Sequence, residues 1–236
     1  MKWSIAVALL CGCGRLDFDP HADGGHAVVD APRDAAAGAI AFIQAKGDNY
    51  NTQRMGTVAY PDPVAQGDLL VVGIDYDNTA ATPTITDALG ASWKLTAPSD
   101  GFDRQYLAYA IAPAGGADTV SVVLDAAPAT YFELRIHEYR GVSATQPVDG
   151  EAESFGDTMP ATVDIATHLA DQMVFAMAIL STATPGMAGP GYTLRLNFVQ
   201  DVTEDRIVDA PQTLAAVVDY GAFANWTITA IVLTPG

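Results

Sequence analysis

The 236-residue chain is short of basic residues and cysteine, and it contains no long stretch of helical period. Eleven Lys and Arg stand against 28 Asp and Glu, a formal net charge of −17. Such a surface repels phosphate backbones, so nucleic acid is excluded as an expected partner. It also gives no electrostatic drive toward anionic lipid. The four histidines form no H-x-x-x-H or H-E-x-x-H pattern. There is no EF-hand loop, no G-x-S-x-G elbow and no glycine fingerprint for phosphates or dinucleotides. Serine-hydrolase, zincin and nucleotide-dependent chemistries therefore have no footing in the sequence.

Both cysteines stand in "LLCGC", residues 9–13. Lys2 gives a positive start, and Trp3 to Leu10 is an apolar run far too short to span a bilayer. This segment resembles the bacterial lipobox, with Leu10 at minus three and the small Gly12 at minus one before Cys13. The resemblance implies a signal peptide over residues 1–12 and lipidation of Cys13. Each buried methylene of the acyl chains holds the anchor by about 0.8 kcal/mol. A plain secretory signal and a Cys11–Cys13 redox pair are the other readings of the same residues. With Cys11 removed and Cys13 lipidated, the mature domain has no thiol for disulfides, thiolate catalysis or metal binding. Gly14 stands where an Asp would signal inner-membrane retention, so the expected location is the outer membrane of the cell envelope. Residues 13–38 mix Asp, Ala, Gly and Pro with few large apolar side chains and read as a disordered tether.

From residue 39 onward, short apolar or alternating runs recur about every ten residues between Gly, Pro, Asp and Asn. That texture predicts one all-β domain over residues 39–236, an antiparallel β-sandwich of jelly-roll or immunoglobulin-like type. Predicted strands include Asp68–Tyr76, Arg104–Ile111, Thr119–Leu124, Tyr131–Tyr139, Gln172–Leu180, Thr213–Tyr220 and Trp226–Leu233. In "YFELRIHEY" the period of two places Phe132, Leu134 and Ile136 on the core face and Tyr131, Glu133, Arg135, His137 and Tyr139 outward. "MVFAMAIL", Met173–Leu180, is apolar on both faces and predicts a central strand covered on both sides. Thr167 to Gln172 is read as a single helical turn.

The fragments "QGDLLVVGIDYDN", "TITDALGASWKL", "YAIAPAGGADTVSVVLDA", "ELRIHEYRGVSATQPVDG" and "NWTITAIVL" follow in an order that resembles a β-sandwich module of large secreted bacterial proteins. The start "CGCGRLDFD" with its Asp/Ala tail resembles lipoproteins of myxobacteria. The resemblance implies an extracellular module without a catalytic role.

Candidate sites follow from residue chemistry. The outward row Tyr131, Glu133, Arg135, His137 and Tyr139 is the candidate ligand face. No catalytic residues are assigned. No cofactor is expected; calcium, which takes oxygen ligands from loops, is the metal the chain could hold, at Asp75, Asp77 and Asn78. Asp100 with Asp103, and Asp201 with Glu204 and Asp205, stand in further acidic clusters that only folding could bring together. Aromatic candidates for stacking on sugars are Tyr50, Tyr76, Phe102, Tyr106, Tyr131, Tyr139, Tyr220 and Trp226. Glu138 shares the parity of the core face and wants a cation, for which Arg206 is the candidate. The expected function is a non-catalytic envelope lipoprotein displaying a binding or adhesion module, with polysaccharide the favoured ligand. The alternatives are a structural or protein–protein interaction domain and, third, a glycan-active hydrolase or lyase.

Overall fold

The computed structural model describes residues 39–236 apart from 78, 79, 102, 129, 183, 222 and 223. The expected signal peptide, Cys13 and tether lie outside the described residues, as do Asn78 and Phe102. Strands run in chain order as β1 Ala41–Asn49, β2 Met55–Ala59, β3 Leu69–Asp77, β4 Pro83–Asp87, β5 Lys94–Leu95, β6 Ser99–Asp100, β7 Asp103–Ile111, β8 Thr119–Leu124 and β9 Phe132–Arg140. They continue as β10 Val148–Gly156, β11 Ala161–Ala166, β12 Met173–Leu180, β13 Met187–Ala188, β14 Thr193–Phe198, β15 Asp201–Ile207, β16 Thr213–Asp219 and β17 Trp226–Leu233. All pairings between them are antiparallel. No helix occurs among the described residues. The expected all-β, antiparallel, sandwich-like fold is the one present.

Two large sheets lie at the centre, ordered β1-β9-β3-β7-β5, with β6 also on β7, and β10-β17-β12-β15-β14. Two three-stranded sheets, β2-β8-β4 and β11-β16-β13, complete the set. The cores show how they stack. One core joins the even-numbered side chains Leu70, Val72 and Ile74 of β3 to Val120, Val122 and Leu124 of β8. A second joins Val174, Ala176 and Ala178 of β12 to Ala216 and Val218 of β16. A third, with Leu69, Val71 and Leu107 against Phe175, Met177 and Ile231, lies between the two large sheets. The protein is thus four β layers, with a large sheet buried on both faces at each of the two inner positions. That explains why β3 and β12 are buried along almost their whole lengths. A Val, Leu, Ile or Phe side chain so buried contributes about 1.5–3 kcal/mol.

The strand orders reveal a repeat. Replacing β1, β9, β3, β7 and β5 by β10, β17, β12, β15 and β14 converts one large sheet into the other. The substitution of β2, β8, β4 by β11, β16, β13 does the same for the outer sheets. Local backbone bonds repeat as well. Gly67 N donates to Ala112 O and Ala112 N to Asp68 O, each at 2.9 Å; Asp171 N donates to Val208 O at 2.8 Å and Val208 N to Gln172 O at 2.9 Å. Both turns need a residue with positive φ, Gly67 at 88° and Asp171 at 60°. This turn occupies the stretch expected to be helical: the chain must reverse into β12, and Asp171 in the left-handed region cannot continue a helix. The two halves meet closely where Gly73 of β3 faces Met177 of β12. A Cβ at Gly73 would overlap the Met177 sulfur.

β10 has no counterpart among the predicted strands. Its sequence, VDGEAESFG, carries Gly and Glu because it is an edge strand with no fully buried position. Glu138 is buried, but its partners are Gln44 Nε2, which donates at 2.5 Å, and the Ala65 amide at 3.0 Å. Arg206 is not its cation; that guanidinium lies over the Tyr192 ring in the other half.

Candidate functional site

Strand pairing sets Asp75 of β3 directly opposite Glu133 of β9, with Gly73 opposite Arg135. Like charges at facing positions destabilise a sheet unless a cation intervenes. Arg135 supplies it. Its Nη1 donates to Asp75 Oδ1, and its Nη2 donates to Glu133 Oε2 and to Asp201 Oδ2, each of the latter at 2.5 Å. Asp201 comes from β15, in the other half of the chain, and its Oδ1 accepts the Leu180 amide at 2.8 Å. Asn49 Nδ2 donates to Glu133 Oε1 at 2.6 Å. Carboxylate oxygens of Asp75, Glu133 and Asp201 lie within 4.8 Å of one another. Arg135 and Asp75 are fully buried, and Glu133 and Asp201 nearly so.

Three buried carboxyls against one guanidinium could not all ionise without leaving negative charge in excess. Burial pushes the Asp75 and Asp201 carboxyls well above the usual carboxylate range, with Arg135 pulling back and neighbouring acids adding to the rise. Glu133 is raised by burial and held down by Arg135 and Asn49. Burial opposes the charge on Arg135, but Asp75, Asp201 and Glu133 outweigh it and raise its pKa further. Asp103, beside them at the start of β7, is pushed up to about 6 by burial, with its contact to Tyr131 working the other way. One oxygen of the fully buried Asp75, Oδ2, has no hydrogen-bond partner.

A cleft of about 510 Å³ opens against this cluster. Its walls carry Asp103, Glu133 and Asp201, together with Asn49, Tyr131, Ser181, Thr182 and Gln200. Ile179, Leu180 and Val199 supply apolar surface. The volume lies within the usual range for small-molecule sites. Val199 and Gln200 form the two-residue link between β14 and β15, with φ of 50° and 73°. Positive φ at both positions suits a type I′ hairpin, where Asn-Gly is the favoured pair. A β-branched Val there is strained by about 1–3 kcal/mol, and strain of this kind gathers at functional sites.

The repeat gives this site an internal control. Register places Met177 opposite Thr229 and Thr203 where the first half has Gly73 opposite Arg135 and Leu107. Arg135 therefore corresponds to Thr229, Glu133 to Thr227, Asp75 to Ile179, and Asp201 to Gln105. On the other side of β3 and β12, where β7 meets β17, Thr229 Oγ1 donates to Gln105 Oε1 at 2.8 Å, the neutral equivalent of the Arg135–Asp201 contact. The same architecture thus carries charge on its β9/β15 side and none at the equivalent positions of its β7/β17 side.

The candidate ligand face divides. Tyr131 and Glu133 reach the cleft. Arg135, His137 and Tyr139 do not face outward: β9 is an inner strand, and its second face packs on the other half. Arg135 meets Asp201, His137 Nε2 meets Thr203 Oγ1 at 2.8 Å, and the Tyr139 hydroxyl donates to Asp205 at 2.9 Å, each pair 66 residues apart. They form a polar seam along the interface. His137 is lowered to about 3 by burial and by the charges of Arg135 and Arg195, so it is neutral at ordinary pH.

The calcium set also separates. Asp75 joins Glu133 and Asp201, while Asp77 accepts from the Thr130 amide at 2.6 Å and Asn78 lies outside the described residues. Arg135 already bonds the three clustered carboxylates. Of the stacking aromatics, Tyr50, Tyr76, Tyr106, Tyr139, Tyr220 and Trp226 are buried and Tyr131 is half-buried, so they form no exposed row. Asp201 as the partner of Arg135 was not legible, because only the stacking of the halves brings β15 to β9. No family model, no curated protein and no solved structure matches the chain.

Proposed function

We propose that the chain is a non-catalytic binding module displayed on the bacterial cell envelope through a lipidated Cys13. The cleft between the ends of β9 and β15 takes a small polyhydroxylated ligand, such as the end of a polysaccharide chain. The observation that carries this reading is the cleft wall itself, where carboxylate, amide and hydroxyl groups from both halves converge above an apolar floor. Groups held on strand ends bind with little loss of side-chain freedom. Burial of the aromatic candidates favours end-on capture in a cleft over stacking along an open face. The clustered carboxylates are clamped on Arg135, which suits recognition better than proton transfer.

The test is glycan-array binding by the full chain and by Tyr131→Ala. Binding to one glycan class, weakened at least tenfold by the substitution, supports the reading. A blank array, or binding indifferent to Tyr131, overturns it.

A further inference from the structure

We infer that the ligand of this cleft carries a positive charge, as an amine on a carbon skeleton of the amino-sugar class. The inference rests on the cleft reading above and adds the charge of the ligand.

Asp103, Glu133 and Asp201 line the cleft, and among the described residues no Lys, Arg or His lines it with them. The one guanidinium behind the wall does not change that balance for a ligand. Arg135 is fully buried, and its Nη1 and Nη2 are occupied by Asp75, Glu133 and Asp201. An anionic ligand would meet carboxylates without a free cation. The buried Asp75 Oδ2, without a partner, marks the same cluster as short of positive charge and of donors. Charged groups buried without compensation are costly.

The β7/β17 side of the same central strands shows that packing does not require this charge. Thr227, Thr229 and Gln105 occupy the positions equivalent to Glu133, Arg135 and Asp201, and Thr229 and Gln105 bond directly. Carboxylate on the β9/β15 side only is what a cation-binding site needs and what a structural seam does not.

A bare divalent cation fits less well than an amine. It needs six to eight oxygens within about 2.6 Å, and the oxygens of Glu133 and Asp201, already engaged by Arg135, Asn49 and the Leu180 amide, cannot all turn to one ion, whereas an ammonium needs no more than three acceptors. An ammonium approaches from the cleft side as a hydrogen-bond donor to Asp103, Glu133 and Asp201. Ile179, Leu180 and Val199 then receive the carbon skeleton. The raised carboxyls near the cleft would give up protons as the ammonium arrives, Asp103 foremost near pH 6.

The experiment is calorimetric titration of the full chain at pH 6 with four probes: glucosamine oligomers, the same oligomers N-acetylated, glucose oligomers and spermidine. The expected result is binding of glucosamine oligomers at least about tenfold tighter than of the acetylated form, roughly the value of one charge-assisted hydrogen bond. That binding weakens with added salt and releases protons, seen as a heat that depends on the buffer. Asp103→Asn, a change at the cleft rim, lowers the preference for the amine. Equal binding of the acetylated or glucose oligomers overturns the charge inference and leaves the glycan reading standing. Spermidine binding with no oligomer bound upholds the charge inference and overturns the glycan reading. No binding of any probe overturns the inference, while the array decides the glycan reading separately.

Discussion

Removing Arg135 alone and rebuilding its whole cluster in the neutral form of the β7/β17 side should have opposite effects on stability. Arg135→Thr leaves Asp75, Glu133 and Asp201 buried without their common partner. Their side chains are at most 5% exposed, so solvent screens little of the repulsion. Breaking a buried pair from one side costs about 3–5 kcal/mol. The fourfold variant Asp75→Ile, Glu133→Thr, Arg135→Thr, Asp201→Gln installs the residues that occupy the equivalent positions by the internal repeat. Exchanging a buried ionic cluster for neutral groups of matching shape is often neutral or stabilising by about 1–4 kcal/mol. Urea unfolding followed by tryptophan fluorescence at pH 7 measures both. The Arg135→Thr deficit should shrink as the pH is lowered from 7 toward 4. Without the guanidinium the folded carboxyls hold more protons than the unfolded ones across that window, so stability rises as pH falls. If the fourfold variant is as unstable as Arg135→Thr, the cluster is needed for packing. The comparison of the two sides would then no longer point to a ligand.

At the seam, His137 has a folded pKa lowered to about 3 against about 6.5 unfolded. The unfolded chain therefore binds the extra proton first, and stability attributable to this group is lost as pH falls from about 6.5 toward 3. The loss reaches at most about 1.4 kcal/mol per pH unit. Urea melts of wild type and His137→Leu from pH 7 to pH 4 should converge, since the carboxyl contributions are common to both; parallel curves would refute the assignment. Gly73→Ala should cost about 1–3 kcal/mol by overpacking, recovered in part by Met177→Ala. Thermal melts of the single and double variants check this, and equal losses would show the two positions to be uncoupled. Val199→Asn with Gln200→Gly should raise stability by about 1–2 kcal/mol by relieving positive φ. Glycan affinity should fall in the same variant; unchanged stability would remove the strain from the account of the cleft.

Much of the local structure was legible because strand formation here follows local patterning. Thr119–Leu124 and Trp226–Leu233 match their predicted limits, and the continuous apolar run of β12 correctly indicated a strand covered on both sides. β10 was not legible, since an edge strand has no need of an apolar pattern. Parity on β9 was read correctly, but the assignment of its second face to solvent was not. A row of Glu, Arg, His and Tyr looks the same in sequence whether it meets water or a second polar row. Of the site, Asp75, Tyr131, Glu133 and Arg135 were each singled out, for reasons that did not connect them.

The sequence by itself determined the β class, most strand positions and the alternation of faces. Each depends on side chains within a few residues of one another. It also determined the acidity of the chain and the lipobox-like start. Only the tertiary structure decided that the strands form two like-ordered halves, and that β9 lies inside. It alone brought Asp201 across 66 residues to Arg135. The reason is physical: like-ordered halves can share their architecture through burial pattern alone, with few residues in common. A charged cluster assembled from three strands exists only once those halves have closed on each other.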